Sequence, residues 1–368
     1  MFRVISSILV ILLLTTLAVV YGGPRTAPRP AAQPTVLATG VNLYGLDAHD
    51  GTIVQDGAVF YLYGTRYGCG FTWRQPNTPF CGFGVWTASA VTGPWTFQRL
   101  LFTAASQNPW NGQSWQYTCG SDGAGCFNPR MVKRASDGVW MLWFNAPGDY
   151  NRTGANAYYV MGCNSPTGPC GAAAGAPYGS THKPAMHICY GNGDHSIVVD
   201  GTTGYIMCTR VNQTIAIERL DRWWANGDGT GAANVAGLTQ VESPGAWRAA
   251  DGKWILTYSD INCGYCAANA TGYAVADTPR GPFTAPGNVG VSAPERARRD
   301  ISASSCGGQP RTVVTLNGQP YQWIDLWVGT TNETIAGIHL EPLITNPPYL
   351  PPANGRVQPG GILPFTCV

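Results

Sequence analysis

The chain has 368 residues, only 11% of them charged, and a net charge of +2. With no basic stretch to fill a groove, this charge gives no case for a nucleic-acid partner. The 47 glycines, 28 prolines, 13 tryptophans and 17 tyrosines are typical of an all-β protein with many tight turns.

The N-terminus has the pattern of a signal peptide. Arg3 precedes an apolar run, Ile8–Val20, and the small residues Gly22-Gly23 follow it. We predict a signal peptide over residues 1–22 and a secreted protein with no stable membrane span after cleavage. An uncleaved anchor is the alternative, although the apolar run is short for a span. Residues 23–38 are rich in Pro and Ala and are predicted to be a linker.

From residue 39 to residue 368, the pattern is short strands separated by turns. Five units follow one another, and each has an apolar strand, a turn, an aromatic strand and an amphipathic strand. Their predicted first strands begin at Asp50, Asn128, Asp194, Glu242 and Gln309. The predicted turns between the first two strands are Asp56-Gly57, Asp137-Gly138, Thr203-Gly204, Asp251-Gly252 and Asn317-Gly318. Five such repeats predict a five-bladed β-propeller, with a β-sandwich as the alternative.

In a propeller the first strand of each blade lines the central channel. The five polar residues that begin these strands are therefore expected to meet at one mouth of the channel. Three of the five are carboxylic acids, in a chain that is poor in charge: Asp50, Asp194 and Glu242.

Three carboxyl groups at one mouth can hydrolyse a glycosidic bond. An inverting enzyme needs one carboxylate to activate water and one carboxylic acid to protonate the leaving oxygen. A third carboxylate can raise the pKa of the acid by like-charge repulsion. Asp50 and Asp194 could instead be ordinary turn residues, whereas Glu242 on an apolar strand is harder to explain structurally. His49 and His195 flank predicted carboxylates and could orient a substrate or a bound ion.

Twelve cysteines in a secreted chain predict disulfides. The local pairs expected are Cys69/Cys81, Cys119/Cys126, Cys163/Cys170 and Cys189/Cys208, with Cys306/Cys367 fixing the C-terminus. The Cys263-Gly264-Tyr265-Cys266 motif could be a redox site or half of a zinc site. A structural bridge or separate pairings are favoured, because no second such motif or nearby histidine cluster is present.

Three runs of sequence resemble glycoside hydrolase family 43. They are AHDGTIVQDGAVFYLYGT from Ala48, GDHSIVVDGTTGYIMCTR from Gly193 and VESPGAWRAADGKWILTYSD from Val241. The resemblance implies a five-bladed propeller that hydrolyses arabinose-, xylose- or galactose-containing glycans with inversion. It also implies that Asp50 is the general base, Asp194 the aspartate that tunes the pKa, and Glu242 the general acid.

The Ala48-His49 pair is similar to the exo-β-1,3-galactanase branch of this family. That branch has glycine where Asp50 stands and places a glutamine from the last blade near the water, a position comparable to Gln309. The presence of both residues leaves open which of them handles the water. No required cofactor and no protein metal ligand are predicted. The resemblance makes a calcium ion in the channel possible.

The sequence therefore predicts a secreted glycosidase with a carbohydrate substrate. The predicted substrate-binding residues are His49, Asn128, Arg130, His195, Gln309 and Trp327. A non-catalytic glycan-binding propeller is the main alternative. A transglycosylating or fructan-type enzyme is another, and would need carboxyl groups only about 5–5.5 Å apart.

Overall fold

A computed structural model of the chain describes residues 39–154, 156–171, 181–191, 193–285, 300–346 and 361–368. The predicted signal peptide and linker lie outside these residues, and both stay predictions. None of the helices in the described part of the chain is long and apolar enough to cross a membrane.

Five four-stranded antiparallel sheets follow one another along the chain. Blade 1 consists of β2 (His49–Asp56), β3 (Val59–Thr65), β4 (Phe83–Ala88) and β5 (Thr96–Leu100). Blade 2 consists of β6 (Phe127–Lys133), β7 (Trp140–Asn145), β8 (Tyr158–Cys163) and β9 (Thr181–His182). Blade 3 consists of β10 (His195–Asp200), β11 (Thr203–Thr209), β12 (Ile215–Leu220) and β13 (Gly227–Ala232). Blade 4 consists of β14 (Val241–Arg248), β15 (Trp254–Asp260), β16 (Ala270–Ala276) and β17 (Asp300–Ser302).

Blade 5 takes its outermost strand from the other end of the chain. It contains β18 (Gln309–Leu316), β19 (Gln319–Leu326) and β20 (Gly337–Pro342), and β1 (Val41–Leu43) pairs with β20. A two-stranded sheet of β21 (Thr345–Asn346) and β22 (Gly361–Ile362) follows. The repeat pattern missed β1 because a three-residue strand that is far from its partner in sequence has no local signal.

The first strands of the blades form a closed ring. β2 packs against β6, β6 against β10, β10 against β14, β14 against β18, and β18 against β2. This closure confirms the predicted five-bladed β-propeller and excludes the β-sandwich. The strands that line the channel are therefore those that the sequence predicts to be innermost.

Three of the five predicted hairpin turns lie where the sequence places them. The first is shifted by one residue, because Asp56 ends β2 and pairs with Val59, so that Gly57 and Ala58 make the turn. At Asn317-Gly318 both residues have positive φ, 51° and 78°, as a two-residue turn of this type requires. The third prediction is wrong, because Thr203 and Gly204 lie within β11 and the turn is made by Gly201 and Thr202. Gly201, with φ of 60°, is the turn residue with the positive φ that the prediction gave to Gly204.

The core consists of apolar clusters between neighbouring blades. One cluster joins blades 1 and 2 through residues such as Phe83 and Phe144, and another joins blades 5 and 1 through Trp323 and Leu62. Similar clusters join blades 2 and 3, 3 and 4, and 4 and 5. Full burial of each large apolar side chain contributes about 1.5–3 kcal/mol to stability. The aromatic second strands thus hold the blades together around the channel.

Two short α-helices, two 3₁₀ helices (Val235–Gly237 and Ser305–Gly307) and six disulfides complete the described structure. The α-helices are α1 (Trp115–Gly120) and α2 (Pro147–Thr153). The disulfides include all five predicted pairs, Cys69–Cys81, Cys119–Cys126, Cys163–Cys170, Cys189–Cys208 and Cys306–Cys367. Cys263 pairs with Cys266, the bridge that was one of the two favoured interpretations of that motif.

Candidate active site

Bulges at the starts of the inner strands turn the polar side chains toward one another. The pairing register shifts after His49, Phe127, Glu242 and Pro310, each at the first residues of an inner strand. Such bulges bend a strand and re-aim its side chains.

The backbone at these bulges is held in the left-handed region. Asp50, Asn128 and Ser243 have φ of 47°, 57° and 54°. A Cβ atom on Gly51 would lie 1.8 Å from the carbonyl oxygen of Tyr63, so only glycine fits beside Asp50.

A cavity of about 550 Å³ opens at this mouth of the channel. Its floor contains Asp50, Asp194, Glu242, Gln309 and Arg311, which come from four blades. Its walls come from the disulfide-closed loops around residues 67–74 and 122–127, from α2 and from residues 262–265. The volume lies within the range of small-molecule sites. No described residue between 163 and 192 lines the cavity.

Glu242 is held by two donors on one oxygen. Its Oε1 accepts hydrogen bonds from the backbone N–H of Cys263 at 2.8 Å and from Gln309 Nε2 at 2.6 Å. Burial, and then the negative charge of Asp194, raise the pKa of Glu242 to about 8. The side chain is therefore a carboxylic acid at neutral pH and can give up a proton, as a general acid must.

Gln309 is fixed by its own neighbours. Its Oε1 accepts a hydrogen bond from Trp327 Nε1 at 2.7 Å, and its Nε2 also donates to the carbonyl oxygen of Cys263 at 3.0 Å. The amide orientation follows from these partners, because the indole can only donate. Gln309 thus links Trp327 to Glu242 and fixes the position of the carboxyl group.

Asp194 is ionised because donors surround it. Arg311 contacts its Oδ2 at 2.8 Å, Asn128 Nδ2 donates to its Oδ1 at 2.8 Å, and Ser243 Oγ donates to Oδ2. Burial opposes the charge, but these partners prevail and keep the pKa of Asp194 below its usual value. A permanent negative charge beside Glu242 results.

Asp50 is almost fully buried, at 2% exposure, yet it lines the cavity. Its Oδ1 accepts hydrogen bonds from Thr65 Oγ1 at 2.6 Å and from the backbone N–H of Asn128 at 3.1 Å. Burial raises the pKa of Asp50 to about 7; Arg311 opposes this rise and Asp325 adds to it. The two carboxyl groups in the cavity floor with raised pKa values are therefore Asp50 and Glu242, which lie on either side of the ionised Asp194 in the order of the blades.

Asn128 and Arg130, both predicted to bind substrate, lie below the cavity floor and do not line it. Arg130 donates from Nε to the carbonyl oxygen of His195 at 2.9 Å and from Nη1 to the carbonyl oxygens of Asp50 and Gly51. Its guanidinium therefore holds the backbones of three blades together. Asn128 joins the same network through Asp194 and Arg311.

The two predicted histidines are also buried outside the cavity lining. His49 stacks on Tyr67 with ring centroids 4.9 Å apart and lies 5.8 Å from the Trp327 ring. His195 contacts the ring of Tyr158 edge-on at 5.1 Å. Burial, and then the charge of Arg130, hold the pKa of His195 well below its usual value, so this ring is neutral.

Aromatic side chains form part of the cavity wall. Trp327, which was predicted to bind substrate, lines the cavity with Trp73, Tyr67, Tyr265 and Phe127. Aromatic rings of this kind are suited to the apolar faces of sugars.

Two charged residues of the site were missed by the sequence reasoning. Arg311 bridges Asp194 and Asp325, and Asp325 lies directly opposite Gln309 in the pairing of β18 with β19. Asp325 accepts two hydrogen bonds from the backbone N–H of Asp50, and burial raises its pKa. A signal for Arg311 was available, since Gln309-Pro310-Arg311 repeats the Asn128-Pro129-Arg130 pattern of blade 2.

One cluster of metal-binding residue types occurs in the described part of the chain: Cys306, His339 and Glu341. The sulfur of Cys306 is in a disulfide, and His339 Nε2 contacts Glu341 Oε2 at 2.7 Å. None of the three lines the cavity. In the channel, Arg130 and Arg311 already lie among the carboxyl groups, which is an unfavourable position for a dication. The calcium ion stays a prediction.

Comparisons with known proteins find the same fold. No family model and no curated protein matches the sequence. Among solved structures, an exo-β-1,3-galactanase from Phanerochaete chrysosporium in complex with β-1,3-galactotriose matches with a TM-score of 0.58 and 20% identity, over 81% of this chain and 61% of that chain. A putative exo-β-1,3-galactanase from Bifidobacterium bifidum matches with a TM-score of 0.62 and 15% identity, over 87% of this chain and 91% of that one.

A GH43 β-1,3-galactosidase in complex with galactodeoxynojirimycin has a TM-score of 0.58 and 14% identity, over 82% of this chain and 92% of that one. The chain spans less than two thirds of the length of the P. chrysosporium enzyme. At these identities the comparisons establish the fold. The chain is a five-bladed β-propeller with the fold of the GH43 exo-β-1,3-galactanases, which confirms the resemblance read from the sequence.

Proposed function

We propose that this protein is a secreted glycoside hydrolase that cleaves β-1,3-linked galactose residues with inversion. The observation that carries the proposal is the convergence of three carboxyl groups, those of Asp50, Asp194 and Glu242, in one cavity. The raised pKa of Glu242 beside the lowered pKa of Asp194 agrees with it. The substrate is taken from the names of the proteins that share the fold. Secretion is supported by the six disulfides, which form in oxidising compartments.

In the mechanism that we propose, Glu242 protonates the glycosidic oxygen as the bond to the leaving sugar breaks. Asp50 accepts a proton from a water molecule that attacks the anomeric carbon from the opposite face. Both hydrogen bonds to the Asp50 carboxyl group within the described residues fall on Oδ1, so Oδ2 is the oxygen we assign to the water. Asp194 raises the proton affinity of Glu242, and Gln309 and Cys263 fix its position.

Asp50 is preferred to Gln309 as the water-activating group. The Gln309 carbonyl oxygen is already bonded to Trp327, and its nitrogen to Glu242. A neutral amide is also a far weaker base than a carboxylate. The chain thus differs from the galactanase branch in having an ionisable group at the position of Asp50.

The proposed roles predict a narrow pH range of activity. The reaction needs Asp50 ionised and Glu242 protonated. Since the pKa of Asp50 is about 7 and that of Glu242 about 8, kcat/KM should fall below pH about 7 and above pH about 8. A bell-shaped profile with its maximum in this interval is expected from initial rates between pH 4 and pH 10.

The test is hydrolysis of β-1,3-galactotriose, with xylan and arabinan fragments in parallel, and with NMR to identify the anomer first released. The wild type should release the inverted anomer from the galactotriose, and Glu242→Gln should lose at least about a hundredfold in rate. Asp277→Asn is the matched control, because its carboxylate lies at the surface with 81% of the side chain exposed. Full activity in Glu242→Gln would refute the acid assignment, and retained anomeric configuration would refute inversion.

The glycan-binding alternative is favoured by one observation, the deep burial of Asp50. Calorimetry of the same galactotriose with the wild type separates the two functions. Binding without release of any product over days would establish a binding protein.

A further inference from the structure

The cavity wall contains a cation that the proposed chemistry does not use. Arg74 lines the cavity and is exposed. Within the described part of the chain, no carboxylate lies at salt-bridge distance from it. The other charged wall residue, Asp122, is paired with Arg152 at 2.8 Å, and Arg311 in the floor is paired with Asp194.

Arg74 is held in a defined position rather than left free at the surface. Its guanidinium carbon lies 4.0 Å from the centroid of the Trp73 ring, and that ring meets Tyr265 edge-on at 5.0 Å. Stacking uses the flat face of the guanidinium and leaves the N–H donors at its edge unused. The aromatic pair therefore carries Arg74 as a fixed donor group on the wall.

The backbone at Arg74 supports the same conclusion. Its φ is +64°, a left-handed conformation that a non-glycine residue adopts only at a cost. Its N–H donates to the carbonyl oxygen of Gly123 at 2.9 Å, which ties two disulfide-closed loops together. Unfavourable backbone geometry that the surrounding structure maintains is concentrated at ligand-contacting sites.

The charge of the cavity floor does not oppose an anionic ligand. Burial keeps Glu242 protonated near pH 7, and Arg311 balances the charge of Asp194. Asp50, with a pKa of about 7, is about half ionised at this pH, and the positive charges of Arg311 and Arg130 offset its negative charge. Arg74 is then the unbalanced charge on the wall. A guanidinium with free edge donors binds a carboxylate or a sulfate through paired hydrogen bonds.

We propose that Arg74 is a specificity-determining residue that binds an anionic group, a uronate carboxylate or a sulfate ester, on a sugar next to the bond that is cleaved. This inference rests on the proposed glycosidase function and narrows its substrate to glycans that carry acidic sugars. Trp73 and Tyr265 position the guanidinium, and the loop disulfides fix the aromatic pair.

The test measures binding, so that it does not depend on turnover. The full chain with Glu242→Gln is titrated by calorimetry with β-1,3-galactotriose and with the same trisaccharide carrying either a terminal glucuronate or a 6-sulfate. We expect at least one charged ligand to bind about tenfold more tightly than the neutral one. The preference should weaken between 0.1 M and 1 M NaCl, where the Debye length falls from about 10 Å to about 3 Å.

Two further variants, each combined with Glu242→Gln, show whether the preference for the charged ligand depends on Arg74. Arg74→Gln should remove the preference for the charged ligand. Arg222→Gln should retain it, because Arg222 also stacks on a tryptophan, Trp223, at 4.6 Å but lies outside this cavity. The better of the two charged ligands identifies the anionic group.

The outcomes distinguish this inference from the proposed function. Equal affinity for the neutral and charged ligands, a preference that survives Arg74→Gln, or no binding of any ligand would overturn the role of Arg74. Hydrolysis of the neutral galactotriose without any charge preference would overturn it while leaving the glycosidase intact. Binding of a charged ligand through Arg74 by a protein that cleaves nothing would instead support Arg74 and refute the hydrolase.

Discussion

Substitution of the proposed acid should make the protein more stable as well as inactive. The pKa of Glu242 is about 8 in the folded protein and 4.5 in the unfolded chain, because burial and Asp194 disfavour its charge. A carboxyl group whose pKa is higher in the folded protein than in the unfolded chain lowers the free energy of unfolding most at high pH. Its unfavourable contribution is absent below pH 4.5, grows as the pH rises and is complete above pH 8. Glu242→Gln removes the ionisation and retains the shape of the protonated form.

The size of the effect follows from the pKa interval. The interval between the two pKa values of Glu242, 4.5 and about 8, is about 3.5 pH units, and each unit is equivalent to about 1.4 kcal/mol. The ionised carboxylate therefore lowers the free energy of unfolding by at most about 5 kcal/mol at pH 8. Partial solvent access to the side chain and relaxation around the charge reduce this value, so we expect Glu242→Gln to raise the free energy of unfolding by about 2 kcal/mol at pH 8. At pH 5 the difference should be below about 1 kcal/mol.

The assay is thermal unfolding of wild type and Glu242→Gln at pH 5 and pH 8. A gain of about 2 kcal/mol corresponds to a rise in Tm of about 3 °C at pH 8, because a propeller of this length has an entropy of unfolding of about 0.7 kcal/mol/K. Glu341→Gln is the control with the opposite sign. Hydrogen bonds from His339 and from the backbone of Thr366 and Cys367 lower the pKa of Glu341, so losing its charge should destabilise the fold at pH 8. An unchanged or lower Tm for Glu242→Gln at pH 8 would refute the raised pKa and, with it, the reasoning that makes Glu242 the acid.

Two other substitutions test the network around Glu242. Asp194→Asn removes the charge that raises the pKa of Glu242, so the high-pH limb of kcat/KM should move down by about one pH unit; a limb that stays at about pH 8 would contradict the tuning role. Gln309→Leu removes a donor that favours the ionised carboxylate and leaves Trp327 Nε1 without its acceptor, so the limb should move to higher pH and stability should fall by about 2 kcal/mol in denaturant unfolding. Unchanged stability in Gln309→Leu would show that the amide network is not formed.

The presence of an acidic residue in an apolar strand does not show whether its carboxyl group has a chemical or a structural role. Glu218 is fully buried, like Asp50, but its oxygens accept hydrogen bonds from the backbone N–H groups of His187, Ile188, Cys189 and Gly229. It has no place in the cavity lining. The position of a carboxyl group in the repeat, rather than its presence in an apolar strand, separates the two kinds.

The propeller and the convergence of its inner strands can be predicted from the sequence alone. Asx-Gly turns, aromatic second strands and the alternation of apolar and polar residues are local properties of the sequence. Five copies of this pattern are typical of one closed arrangement, the five-bladed propeller. The positions of Asp50, Asp194 and Glu242 in the cavity follow from that arrangement. The local disulfide pairs followed as well, because their partners are close in sequence.

The environment of each polar group, in contrast, depends on how distant segments of the chain pack together. The short strand β1, the pairing of Arg311 with Asp194 and the placement of Asp325 under Asp50 all join segments far apart in the chain. Proton affinity depends on burial and on neighbouring charges at distances of a few ångströms, and no spacing in the sequence encodes these. For this reason Arg130 and His195 could be placed near the site from the sequence, while their burial beneath it could not.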